Sequence, residues 1–102
     1  RPARCRAMRY EFHPEALDDA RAAHDWYLRR SPEAARAFLA EIDRAASVIV
    51  ENPDAWPPYL HGTRRYLLQR FPFSVVYRAG QTIVHVVSVA HARRRPGYWS
   101  AR

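Results

Sequence analysis

Ile83-Val84-His85-Val86-Val87-Ser88-Val89-Ala90 is the segment that decides the fold, because it is apolar at both odd and even positions. A strand with one wet face alternates; a strand apolar on both faces lies inside a sheet, with neighbours on either side. Working outward, Gln81–Ala90 is predicted as this central strand and Phe73–Arg78 as its partner. Ala79-Gly80 is read as the tight hairpin turn between them. Arg64–Gln69 reads as a further strand, and Arg9-Tyr10-Glu11-Phe12 as a short aromatic edge strand at the other end of the domain.

Between the first strand and the last three the period changes from two to 3.6. His13-Pro14-Glu15 opens a helix with proline at its first position, where no amide donor is required. Ala16, Ala20, Ala23 and Tyr27 form its apolar stripe, with Leu17, His24 and Leu28 alongside. Glu15, Asp18 and Asp19 near the start and Arg29-Arg30 at the end suit the helix dipole. Ser31-Pro32-Glu33 caps a second helix whose apolar face is Ala35, Phe38, Leu39, Ile42, Ala46 and Ile49, ending at Asn52-Pro53. The proline-rich link Asn52–Pro58 is expected to run extended. Strand, helical hairpin, then a three-stranded antiparallel sheet is an α+β class, with the helices on one sheet face. Arg93-Arg94-Arg95-Pro96-Gly97-Tyr98-Trp99 is expected to leave the sheet as a basic, aromatic extension.

Charge is divided as sharply as structure. All ten acids lie at or before Asp54, while residues 55–102 carry eight arginines and no acid. Residues 8–54 hold ten acids against six arginines, a balance of −4, and residues 1–7 add three more arginines, giving the net +7. A one-sign field of this kind attracts polyanions or an acidic protein partner. Every positive side chain is arginine, whose planar fork suits phosphate and carboxylate. The chain is one domain of 102 residues, apolar enough to fold. Residues 1–7 precede Met8 and are read as an N-terminal extension, upstream or vector-derived, outside the domain at 8–102. No apolar run reaches the ~20 residues of a membrane span. The single cysteine, Cys5, fits a reducing compartment, so a cytoplasmic protein with no membrane partner is expected.

Phe12-His13-Pro14-Glu15-Ala16, Trp26-Tyr27, Asn52-Pro53, Arg65-Tyr66 with Leu68, and Arg70-Phe71-Pro72-Phe73 with Val75 and Tyr77 resemble the RelE/ParE superfamily of bacterial toxins. Val89-Ala90-His91-Ala92-Arg93-Arg94, then Pro96, Tyr98-Trp99 and Arg102, complete the likeness over residues 8–102. The resemblance implies the toxin half of a type II toxin–antitoxin pair, silenced by direct binding of a small antitoxin. It also implies contact with operator DNA indirectly, through the antitoxin's DNA-binding domain. Two activities occur in the superfamily: RelE-like members cut messenger RNA in the ribosomal A site, and ParE-like members poison DNA gyrase. Nuclease members carry an arginine where this chain has Ser74, and a tyrosine beside the terminal histidine where it has Ala92. Both departures place the chain closer to the ParE branch, acting by binding and without a cofactor.

Metal-free RNA cleavage needs a base for the 2′-hydroxyl, cations for the phosphate and an acid for the leaving oxygen. The residue types available are Arg64, Arg65, Arg70, His91 and Tyr98; a nuclease would draw on Arg65, Arg70, His91 and Tyr98, the last only with a folded-back tail. A histidine at a strand end is more often a hydrogen-bonded structural residue. His13, His24, His61 and His85 have no acid-supported ligand spacing, so no metal site is expected. The binding surface for target or antitoxin is assigned to Arg64, Arg65, Arg70, His91, Arg93, Arg94, Arg95, Tyr98 and Trp99.

Overall fold

The computed structural model describes residues 9–102, so the reading of residues 1–7 as an extension lies outside the described residues. The chain runs β1 (Arg9–Phe12), α1 (Pro14–Leu28), α2 (Pro32–Glu51), β2 (Arg64–Leu67), β3 (Phe73–Ala79) and β4 (Ile83–His91). Short 3-10 turns occupy Pro53–Ala55 and Leu60–Gly62. The α+β class with its leading strand and helical hairpin is as expected.

The strand order is β1-β4-β3-β2, which puts the doubly apolar β4 inside the sheet. β2, β3 and β4 pair antiparallel, as expected, but β1 adds a fourth strand parallel to β4, with Arg9 facing Ile83 and Phe12 facing Val86. A parallel pair needs a long crossover, and the helical hairpin with the two later strands supplies it. Local patterning marks β1 as a strand but carries no information about direction. The β3–β4 link is Gly80-Gln81-Thr82, one residue longer than a two-residue turn. A Cβ on Gly80 would meet the Ile83 carbonyl at 3.0 Å, so the close backbone approach selects glycine there.

Each helix start is capped by the residue the sequence marks. His13 Nδ1 accepts the Glu15 amide at 3.0 Å, and Ser31 Oγ accepts the Ala34 amide at 3.2 Å. At the end of α1, Arg30 donates to the Trp26 carbonyl at 2.9 Å and lies 3.6 Å over the Trp26 ring. α1 buries Ala16, Ala20 and Ala23, small enough to let α2 and the sheet approach closely. α2 buries Phe38, Ile42 and Ile49 with three alanines; Leu39, expected on that face, is exposed on its flank. Phe38 meets Tyr27, Phe71 and Phe73 at ring separations of 5.4, 5.4 and 5.2 Å, the aromatic centre of the helix-side core.

The opposite sheet face is covered too, and here the tail departs from expectation. Trp99 is 1% exposed and packs with Val76, Val87 and Ala90 under Tyr59, whose ring stacks at 5.5 Å. The tail folds back because an indole left in water beside these valines would forgo a large burial of apolar area. The proline-rich link also differs from an extended run: Pro53 begins a 3-10 turn closed by the Ala55 amide on the Asn52 carbonyl at 3.1 Å. Proline's fixed φ suits a first helical position as well as an extended one.

Tyr77 ties this link to the sheet, its buried hydroxyl donating to the Pro53 carbonyl at 2.5 Å. Burial pushes the phenol up to about 12; Arg64 opposes this and Asp54, to a smaller extent, adds to it. The unfolded phenol therefore loses its proton first, near its ordinary 10, so stability falls as pH rises from 10 towards 12. Urea unfolding of Tyr77→Phe is expected to show a shallower alkaline loss than the parent, at a cost of about 1 kcal/mol near neutrality. An unchanged alkaline slope contradicts this assignment.

Candidate functional site in the cleft beneath the tail

The site is built around one carboxylate. Asp19 stands three residues after Ala16 and four before Ala23, so the turn of α1 that buries the alanines also aims Asp19 at the sheet. Its Oδ2 accepts from Arg102 at 2.8 Å, Ser88 Oγ at 3.1 Å, the Val89 amide at 3.2 Å and the Tyr98 hydroxyl at 3.3 Å. A register shift in the β3–β4 ladder, with Val76 facing Ser88 and Tyr77 facing Val86, leaves Val87 as an extra residue. A bulge re-aims neighbouring groups. The Val87 carbonyl accepts from Arg102 at 2.9 Å, so one guanidinium closes both the carboxylate and the bulge.

Folding the tail onto this hub creates a cleft of about 480 Å³ between α1, the start of β3, the end of β4 and the tail. His91, Arg94 and Tyr98 line it, as do Trp26 and Asp19. His91 packs edge-on against Phe73 at 4.9 Å, and its Nδ1 accepts the Arg93 amide at 3.0 Å. A backbone amide can only donate, so the ring proton of neutral His91 sits on Nε2. Burial pushes the Tyr98 hydroxyl above its ordinary pKa, Asp19 adding to this and Ser88, Arg94 and Arg102 opposing it. Arg94 lies 3.8 Å over the Tyr98 ring.

The other expected site residues are dispersed. Arg64 and Arg65 sit on β2 opposite Tyr77 and Val76, whereas His91 sits opposite Phe73 at the far end of β3. Four residues along a strand is about 13 Å. Arg65 covers Tyr59 at 4.1 Å, and Arg64 donates to the Trp56 carbonyl at 2.6 Å with Asp54 at 3.9 Å. Arg70 lies 3.8 Å from Glu41, whose other oxygen accepts the Gln69 and Arg70 amides at 3.0 and 3.4 Å. Trp99, assigned above to a contact surface, is a core residue and offers a partner nothing. The one-sign field expected from charge segregation is in part neutralised: Arg64, Arg70 and Arg102 are matched by carboxylates of the acidic half, whereas Arg65 and Arg78 have none among the described residues. Arg93, Arg94 and Arg95 stay exposed, without a carboxylate partner among the described residues.

Sequence reading misses three members of the site. Asp19 looks like a helix-dipole acid, although its i−3 and i+4 alanine neighbours, Ala16 and Ala23, mark it as inward-facing. Ser88 interrupts an apolar strand, which signals a buried polar partner. Trp26 carries no local signal distinguishing a cleft wall from a core residue. Among the described residues no group of acidic, histidine or cysteine side chains is arranged to hold a metal. No helix among them is long and apolar enough to cross a membrane.

Helices on one sheet face, a folded-back tail on the other and an aromatic cleft between them make up a small α+β domain. The sequence matches, over residues 10–96, the family described as the ParE toxin of the type II toxin–antitoxin system parDE. The fold is similar to a solved structure of the chromosomal ParDE toxin–antitoxin system from P. aeruginosa, with a TM-score of 0.73 and 20% identity. That match covers 84% of this chain and 97% of the other. No curated protein matches the sequence. The chain belongs to the ParE toxin family of type II toxin–antitoxin systems.

Asp19 and Arg102 have side chains only 12% and 11% exposed, so removing one strands the other. Asp19→Ala is expected to cost about 3–5 kcal/mol in urea unfolding. An Asp19→Leu, Arg102→Met double variant is expected to regain most of that loss, because two apolar groups leave no uncompensated charge. A loss below ~1 kcal/mol for Asp19→Ala, the range of a surface pair, contradicts the hub.

Proposed function

We propose that this chain is a toxin that acts by binding: it inhibits DNA gyrase, blocks replication, and is silenced by direct contact with a cognate antitoxin. The antitoxin's DNA-binding domain brings the pair to operator DNA, and the site of action is the cytoplasm. The observation that favours binding over chemistry is the state of the groups in the cleft. His91 Nδ1, the nitrogen able to act as base in the neutral ring, is taken by the Arg93 amide. The Tyr98 hydroxyl is shared between Ser88 at 2.8 Å and Asp19 at 3.3 Å. Arg65 and Arg64 lie at the far end of the sheet, and Arg70 faces Glu41. The cleft is lined by Asp18 and Asp19 but by a single guanidinium, Arg94, which is a poor cradle for a scissile phosphate.

One feature favours the second reading, a ribosome-dependent nuclease: His91 and Tyr98 do share a cleft with Arg94. Purified chain, added to a gyrase supercoiling reaction and separately to a translation reaction read for A-site cleavage, distinguishes the two. Inhibited supercoiling with intact message is expected, and His91→Ala is expected to keep its potency within about threefold. Message cleavage lost in folded His91→Ala, with gyrase unaffected, overturns the binding reading.

A further inference from the structure

The cleft volume of about 480 Å³ falls within the ~300–1,000 Å³ typical of ligand pockets. Its walls are aromatic and aliphatic: Trp26 and Tyr27 from α1, Phe73 and Val89 from the sheet, Tyr98 from the tail. Trp26 is 47% exposed, an unusual amount of indole to leave in water. The polar groups are few and asymmetric. Asp19 is consumed by its internal bonds. Arg94 is pinned over Tyr98 with no carboxylate partner among the described residues, and it leads the exposed Arg94-Arg95 pair. Asp18 stands on the α1 side with its side chain 72% exposed and only a loose contact to Arg21 at 3.6 Å.

We infer that this cleft seats one anchor of the antitoxin: an aromatic or large aliphatic side chain enters between Trp26 and Tyr98, and an Asp or Glu within a few residues of it pairs with Arg94. The inference rests on the antitoxin reading above and assigns the chemistry of its contact. Charge complementarity selects a peptide. A fully cationic rim would suit a phosphate backbone, but here phosphates would run against Asp18. A segment with one apolar anchor and one acid instead meets the cation and avoids the carboxylate. Arg94 is held in place by the Tyr98 ring, so less of its side-chain freedom is lost on pairing.

The test is selection of random phage-displayed peptides on the immobilised full chain, followed by calorimetry with the enriched peptides. The expected consensus is an aromatic or large aliphatic residue within a few positions of Asp or Glu. Arg94→Glu is expected to weaken these peptides by about tenfold or more, and to enrich Lys or Arg in place of the acid in a repeated selection. Trp26→Ala, a half-exposed position that should fold normally, is expected to weaken them to a similar degree. A consensus without an acid, equal binding by Arg94→Glu, or displacement of the peptides by an oligothymidylate that itself needs Trp26, overturns the assignment. Gyrase inhibition, measured on the same proteins, separates the two proposals. Peptide selection by a chain that leaves gyrase untouched removes the target and keeps the cleft. Inhibition by a chain with no peptide preference keeps the target and removes the cleft.

Discussion

A carboxylate on the first helix and a guanidinium at the far end of the chain hold this molecule in its working shape. Asp19 and Arg102 are 83 residues apart in sequence and 2.8 Å apart in space. Taking two charges out of water is expensive, and the geometry offsets that cost by satisfying nearly every lone pair and proton involved. Asp19 receives the Ser88 hydroxyl, the Val89 amide and the Tyr98 hydroxyl as well, while Arg102 also reaches Glu15 at 3.1 Å and the bulged Val87 carbonyl. Burial pulls the Arg102 pKa down, but the bond and charge of Asp19 outweigh it and leave it raised, so the group stays charged at any pH of interest. A buried pair of this kind adds less stability than apolar packing of the same volume would. Its contribution is positional: it fixes where the tail lies, which seats Trp99 over one sheet face and turns Tyr98 toward the cleft.

The same pair changes the meaning of the charge split along the chain. Acids confined to the first half and arginines filling the second suggest two opposed objects, yet folding brings them together. Glu15 and Asp19 meet Arg102, Glu41 meets Arg70, and Asp54 meets Arg64. Only the Arg102–Asp19 contact is buried enough on both sides to weigh in stability; the exposed Arg70 and Asp54 ends are worth ~1 kcal/mol or less. Beside the cleft, three consecutive arginines, Arg93–Arg95, stay exposed without a carboxylate partner among the described residues. That turn places a dense cationic contact point at the mouth of the cleft.

Features encoded by local chemistry were legible in the sequence, and those set by distant neighbours were not. Proline behind His13 and Ser31 marks both helix starts, and the doubly apolar run at Ile83–Ala90 marks the central strand, because each depends on a few consecutive residues. The parallel pairing of Arg9–Phe12 with β4 depends on where the hairpin returns the chain, and four residues of alternating pattern are silent on direction. The fold-back of the tail is likewise set by distant neighbours. Arg93-Arg94-Arg95 reads as solvated, and the burial of Trp99 only four residues later is decided by Val76, Val87 and Tyr59. In the site, residue types were easier to read than their company: His91 and Tyr98 were singled out and do share a cleft, whereas Arg64 and Arg65 belong to the opposite end of the sheet.

If this pair fixes the position of the tail, the tail backbone should open separately from the sheet once the pair is broken. Hydrogen exchange of Arg102→Ala addresses this directly, because the Ser100 and Arg102 amides bond within the tail, to the Gly97 and Trp99 carbonyls, and the Ala92 amide bonds to Pro72. Exchange at Tyr98–Arg102 is expected to accelerate by at least ~100-fold, the equivalent of about 2.7 kcal/mol, with β3 and β4 still protected. Unchanged protection of those tail amides in a folded Arg102→Ala variant would contradict the central place given to Asp19 and Arg102.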